Sequence, residues 1–171
     1  TNGAAVAGIY AAKGRPSFNP LIVHVPDQTA AEAIAELNDT ARNLAARYWP
    51  GPLTLVLPVR SESGIASLVT AGLSTIAIRC PAHPAMQALL KACGKPLAAP
   101  SANASGSISP TCAAHVLKTL HGLIPFIVDS GATGVGLEST IIAVADDGFD
   151  GFGQRKHSRH RQTLVVSSIV R

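Results

Sequence analysis

The chain has 171 residues, of which 47% are hydrophobic and 14% are charged. This is enough to close one hydrophobic core of ordinary size, so we expect one domain and not two. No apolar run reaches the roughly 20 residues that cross a bilayer, and the first 16 or so residues lack the basic start and long apolar stretch of a signal peptide. We therefore expect a soluble, cytoplasmic protein without a membrane partner.

Positive charge is concentrated at the C-terminal end. The net formal charge is +4, yet residues 1–150 hold nine Lys or Arg against ten Asp or Glu, and residues 151–171 hold five against none. We therefore divide the chain into a domain (residues 1–150) and a basic tail (residues 151–171). The tail is either a nucleic-acid-binding arm, because clustered cations release counterions from phosphates, or a disordered end or product of a reading-frame error. Composition favours the disordered end or the reading-frame error over the nucleic-acid-binding arm.

Short β-rich runs alternate with alanine-rich helical runs, which is typical of an α/β domain. In chain order we predict helices over the first dozen residues, 29–37 (Thr29 and Glu32 at capping-box spacing), 39–48, 83–94 and 109–122, the last with Ser109 as cap and Pro110 as first residue. Strands are predicted at 21–25, 53–59, 74–80, 96–100, 126–129 and 139–144. Several are apolar on both faces, which predicts a sheet covered on both sides. The start with a helix and no strand suggests an N-terminal truncation.

Four polar segments follow or precede predicted strands, at 13–24, 75–84, 99–111 and 136–140. Ligands of α/β sheets gather at such loops, and the side chains here suit an anionic, oxygen-rich ligand. Lys13 and Arg15 flank a glycine and can approach phosphates; the alternative is a helix end whose cations complement the dipole. Arg79 ends an apolar strand, where a guanidinium requires an anion or water. His24 lies within a strand, where a hydrogen-bonded core histidine is the commoner case.

The segment 99–111 combines hydroxyls at Ser101 and Ser109 with the amide of Asn103, directly before a predicted helix start. Backbone N–H groups at a helix N-terminus bind anions, so this pattern favours phosphate or ribose contacts. The alternative is a flexible serine-glycine loop, but Pro100 and Pro110 restrict the segment and favour a shaped loop.

Other catalytic patterns are weak. The three cysteines, Cys80, Cys93 and Cys112, lack the spacing of metal sites, and we expect reduced, buried thiols. No phosphate-binding loop or dinucleotide-binding glycine motif is present in the sequence. A hydrolase triad of His24, Ser139 and Asp129 is disfavoured because no Gly-x-Ser-x-Gly elbow accompanies it.

Five segments, in this order and spacing, resemble the YrdC-like family of threonylcarbamoyl-AMP synthases: KGRPSFNPLIVHV, WPGPLTLVLP, TIAIRCPAHP, PLAAPSANASGSISPT and GLESTII. The resemblance covers about residues 1–147. It implies a twisted mixed β-sheet flanked by helices, an open α/β fold with a concave, positively lined cavity. It also implies an enzyme that forms threonylcarbamoyl-AMP and pyrophosphate from L-threonine, bicarbonate and ATP with Mg²⁺. That product supplies the t6A37 modification of tRNA through a downstream t6A transferase machinery.

By motif, the resemblance implies ATP contacts at Lys13, Arg15, Asn19, Thr75, Ser101, Asn103 and Ser109. It implies L-threonine contacts at His24, Arg79, Ala99 and Ser139, with Asn103 holding either the loop or the nucleotide. No protein nucleophile and no protein metal ligand is implied.

Two departures from the family pattern affect the expected activity. The leading strand, with a motif like PTETVYGLG, is absent, and the basic tail replaces the usual return strand with its Arg-Pro-Gly-like turn. If both departures belong to the real polypeptide, they predict a family fold with weakened or no activity. The alternative function is a non-catalytic member that binds double-stranded RNA or tRNA through the cavity and tail. A carbamoyltransferase is disfavoured because no accessory domain is present.

Overall fold

A computed structural model describes residues 2–134 and 139–144, and the backbone of residues 164–167. The α-helices are α1 (Gly3–Lys13), α2 (Gln28–Glu32), α3 (Asp39–Tyr48), α4 (Ser67–Thr70), α5 (Pro84–Cys93) and α6 (Ala113–Leu120). The strands are β1 (Ile22–His24), β2 (Leu53–Pro58), β3 (Thr75–Arg79), β4 (Leu97–Ala98), β5 (Thr140–Ala143) and β6 (Leu164–Ser167). In the described residues no helix is long and apolar enough to cross a membrane.

The six strands form one mixed sheet in the order β4-β1-β3-β2-β5-β6. β1 runs parallel to β3, and β2 parallel to β5, whereas the pairs β1–β4, β2–β3 and β5–β6 are antiparallel. The predicted mixed α/β sheet is thus confirmed. β6 lies within the range predicted as the tail, where we predicted no strand; the cationic residues of that range lie outside the described residues.

One face of the sheet carries the core. Val23, Ile78 and Leu55 occupy paired positions on neighbouring strands and are fully buried. Helices α1 to α4 contribute Val6, Tyr10, Ala31, Ala41, Ala45 and Val69 to the same cluster. The opposite face is different: in β3 the burial alternates between buried and half-buried residues, so this strand is not buried on both faces as predicted. We call this second side the open face.

Three predicted elements are wrong in extent or type. α2 begins after Asp27, whose side chain caps Ala30 N at 2.8 Å, so Thr29 is not the cap. It ends at Glu32 instead of residue 37, because the next residues bond to the end of β2: Glu36 N donates to Pro58 O at 2.9 Å. Residues 126–129 form no strand, and the side chains of Phe126 and Val128 are 75% and 71% exposed.

α6 also begins later than predicted. Its N-cap is Cys112, without a side-chain cap bond, so neither Ser109 nor Pro110 starts the helix. Before the helix, Thr111 O accepts from Thr133 N at 2.9 Å, so this carbonyl pairs with a distant residue and not with a helical N–H. The three cysteines are free as predicted, but Cys80 is buried whereas Cys93 is exposed.

Candidate functional site

The sheet register aligns three polar side chains on the open face. His24 of β1 pairs with Arg79 of β3, and Arg79 pairs in turn with Thr54 of β2. Directly paired residues point to the same face, and neighbouring strands lie about 4.8 Å apart, so the three side chains form a row across the sheet. We call His24, Arg79 and Thr54 the polar row. It lies at the carboxyl end of β1 and β3, which is where ligands of α/β sheets bind.

His24 is a neutral member of the polar row. Burial, and then the positive charge of Arg79, lowers the pKa of this histidine from 6.5 to about 4. Its Nδ1 atom is buried and has no hydrogen-bond partner in the described part of the chain. A buried polar atom without a partner is energetically unfavourable, so Nδ1 is suited to a ligand group. The commoner reading of a fully bonded core histidine does not describe His24.

Arg79 is oriented by a neighbouring turn. Its Nε donates to the carbonyl oxygen of Gly51 at 3.2 Å, and its own carbonyl accepts from Val25 N at 3.0 Å. The guanidinium is half-buried at the end of β3. Because a guanidinium presents a planar fork of donors, an oriented one at a strand end is suited to bind a carboxylate.

Ser139 joins the polar row through Thr54. Thr54 Oγ1 donates to Ser139 Oγ at 3.3 Å, and Thr54 is fully buried. The two predicted L-threonine contacts Arg79 and Ser139 therefore lie on either side of Thr54. Sequence reasoning missed Thr54; the available signal was a single threonine within the apolar strand LTLVLP.

The loop 99–109 is fixed against the end of α1. Lys13 Nζ donates to the carbonyls of Ser101 and Asn103, and Lys13 O accepts from Ser105 N at 2.8 Å. Lys13 is only 6% exposed. Its ammonium group therefore holds the loop, a role that the sequence analysis did not assign to it.

Asn103 holds the same loop from inside. Its side chain is 4% exposed, accepts from Lys13 at 3.3 Å, and donates to Ser107 O at 2.8 Å. Ser101 is exposed on this loop, and Ser109 is half-buried. At the start of the loop, Ala99 N donates to Ile22 O at 3.0 Å, which continues the β1–β4 pairing. The loop is thus shaped, as the flanking prolines predict.

Arg15 and Asn19 lie together after α1. Gly14 ends the helix with φ 57°, and the Arg15 side chain then donates to Pro20 O at 3.0 Å and more weakly to Asn19 O at 3.4 Å. Thr75 is farther away. It lies on the same face as Arg79 but at the opposite end of β3, about 13 Å along the strand. The structure therefore groups the predicted site residues near the polar row and the loop, with Thr75 apart from them.

The described residues contain no group of three His, Cys, Asp or Glu side chains placed to hold a metal ion. These residues therefore do not form a protein cage for Mg²⁺. A groove of about 530 Å³ lies along α6 and residues 121–129, and no predicted site residue lines it. The concave, positively lined cavity stays a prediction.

The fold and site define a mixed α/β domain with a polar row along one edge of its sheet. The family model Sua5_yciO_yrdC, described as "Telomere recombination", matches residues 1–150, and the chain belongs to this family. This chain is 52% identical over 144 residues to the threonylcarbamoyl-AMP synthase of Bacillus subtilis, and the alignment covers 84% of this chain and 41% of that protein. The synthase of Pyrococcus abyssi is 48% identical over 143 residues, covering 83% of this chain and 42% of that protein.

The structural comparison agrees with the sequence comparison. The crystal structure of P. abyssi Sua5 complexed with L-threonine superposes with a TM-score of 0.80 at 46% identity, covering 84% of this chain and 42% of that chain. The chain thus spans about two fifths of the length of these relatives.

Proposed function

We propose that this chain carries the site of an L-threonylcarbamoyladenylate synthase, a nucleotidyltransferase that uses L-threonine, bicarbonate and Mg·ATP. The observation that carries the proposal is the polar row: a neutral, half-buried histidine with a buried Nδ1, an oriented arginine and a buried threonine side by side at one strand end. Support comes from relatives named threonylcarbamoyl-AMP synthase and from the related structure that contains L-threonine.

Each predicted threonine contact has a chemical role in this proposal. The fork of Arg79 binds the carboxylate of the amino acid, and the unpartnered Nδ1 of His24 binds one of its polar groups. Ser139, held by Thr54, and Ala99, placed against β1, form the remaining edges of the pocket. The neutral form of His24 matters here, because a protonated His24 would place a second positive charge beside that of Arg79, and the two charges would repel each other.

ATP is proposed to bind on the other side of this pocket. Arg15 and Asn19 lie after α1, and Ser101, Asn103 and Ser109 lie on the loop that Lys13 holds. Arg15 compensates phosphate charge, and Thr75 is a more distant contact. Mg²⁺ enters with the nucleotide as part of the substrate, since it is commonly bound through phosphate oxygens.

The proposed reaction needs no protein nucleophile. Bicarbonate takes up a proton and loses water to give carbon dioxide, and the threonine amine then bonds to that carbon, forming a carbamate and releasing a proton. A carbamate oxygen then bonds to the α-phosphorus of ATP, the bond from that phosphorus to the bridging oxygen breaks, and pyrophosphate leaves. The chain's own residues act by holding the two substrates in contact and by compensating their charge. The product would supply tRNA t6A modification through a downstream transferase.

A binding experiment tests the residue assignment. We expect Arg79→Ala to weaken L-threonine binding by about tenfold or more, equivalent to about 1.4 kcal/mol, while ATP binding changes much less. Isothermal titration calorimetry with each ligand measures both. Arg47→Ala is the matched control, because Arg47 is an exposed arginine of α3 lying 5.7 Å from the Tyr48 ring. Equal losses for threonine and ATP in Arg79→Ala would contradict the assignment.

A further inference from the structure

The turn between α3 and β2 bonds to the end of β3 at two points, once at Arg79 and once at the following residue, Cys80. Gly51 O accepts from Arg79 Nε at 3.2 Å, and Gly51 N donates to Cys80 O at 2.8 Å. One residue thus bonds both to the arginine side chain and to the peptide that follows β3. Because Nε–H lies in the plane of the guanidinium group, a bond at Nε fixes the direction of that plane.

This turn requires glycine at position 51. A Cβ atom built on Gly51 would lie 2.3 Å from the carbonyl oxygen of Tyr48, and Gly51 is itself buried. The obstructing atom belongs to the backbone at the end of α3, so it cannot rotate away as a side chain would. A second bond closes the turn from its other side, since Trp49 Nε1 donates to Leu53 O at 2.8 Å.

We propose that Gly51 is a positioning residue for Arg79: its carbonyl sets the direction in which the guanidinium meets the carboxylate of the amino-acid substrate. The identity of that ligand rests on the proposed function. The link between Gly51 and Arg79 rests on the two hydrogen bonds and the steric requirement alone. The motif WPGP, which begins one of the five segments that resemble the family, thereby acquires a role in the site.

The link itself is tested by NMR of the Arg79 Nε–H group, assigned by its loss in Arg79→Lys. In Gly51→Ala we expect the resonance to shift and its exchange with water to accelerate at least tenfold. Gly8→Ala is the control, because a Cβ at Gly8 of α1 meets nothing within 4 Å, and it should leave the resonance unchanged. Trp49→Phe loosens the same turn without a steric clash and should give a smaller change. If the resonance is unaltered in Trp49→Phe and in folded Gly51→Ala, the proposal is overturned; Trp49→Phe alone decides if Gly51→Ala does not fold.

The consequence for binding is tested by a double-mutant cycle with calorimetry. We expect Gly51→Ala to raise the threonine Kd about tenfold with little change for ATP, and to have no further effect in an Arg79→Ala background. Additive effects of the two substitutions would show that Gly51 does not act through Arg79. If the unmodified chain binds no threonine, the proposed function fails, while the NMR experiment still decides whether Gly51 orients Arg79.

Discussion

The pH dependence of stability gives the most quantitative prediction, because the fold holds the half-buried His24 in its neutral form. Its pKa falls from 6.5 to about 4, first through burial and then through the charge of Arg79. Between these two values the unfolded chain binds a proton that the folded chain does not, so stability rises with pH across this window. At about 1.36 kcal/mol per pH unit, lowering the pH from 7.5 to 4.5 removes about 2 to 3 kcal/mol of stability through this residue alone.

The assay is urea denaturation of the unmodified chain and of His24→Gln at several pH values from 7.5 to 4.5. The other histidines and the carboxylates are present in both proteins, so their contributions cancel in the difference. We expect the unmodified chain to lose about 2 to 3 kcal/mol more than the variant over this range. Parallel pH profiles of the two proteins, or an NMR titration that places the pKa of His24 near 6.5, would show that the fold does not lower the pKa of His24.

Three further predictions concern the polar row, the core and the loop. Arg79→Ala should raise the pKa of His24 in an NMR titration, because the charge that lowers it is removed; a fall would contradict this. Leu55→Ala should destabilise the chain by about 2 to 5 kcal/mol in chemical denaturation, because Leu55 is fully buried, whereas Leu89→Ala, 46% exposed, should have a much smaller effect. Asn103→Ala should raise the apparent KM for ATP more than that for threonine, since the loop loses the amide that donates to Ser107 O and Ile108 O. Equal changes in the two KM values would contradict a role of this loop in ATP binding alone.

Local sequence patterns were sufficient to predict most of the helices and strands but not to predict where each one begins and ends. The Gly94 stop of α5 and the proline at its start act within a few residues, so sequence alone locates that helix. The start of α6 is preceded by a bond from Thr133 N to Thr111 O, whose partners lie 22 residues apart along the chain. A backbone bond between such distant residues leaves no local sequence pattern.

The residues of the candidate site were likewise predictable from the sequence only in part. The sequence indicated His24 and Arg79 as polar residues in apolar strands, yet their adjacency depends on the parallel register of β1 and β3, which only the fold specifies. Thr54 and Gly51 were missed for the same reason, since each acts through a contact with Arg79 that is distant in sequence. Lys13 also holds the loop, a role that the sequence could not predict because its partners lie 88 and 90 residues away. Its ATP contact stays a prediction.

The proposed synthase activity requires this chain to hold the substrates of threonylcarbamoyl-AMP formation together. The most direct measurement is pyrophosphate release from ATP, bicarbonate and Mg²⁺ with and without L-threonine, with mass spectrometry of the adenylate product. We predict release that depends on L-threonine, yields threonylcarbamoyl-AMP and falls sharply in Arg79→Ala. Absence of threonine-dependent release at high protein concentration, with the chain folded, would contradict the account.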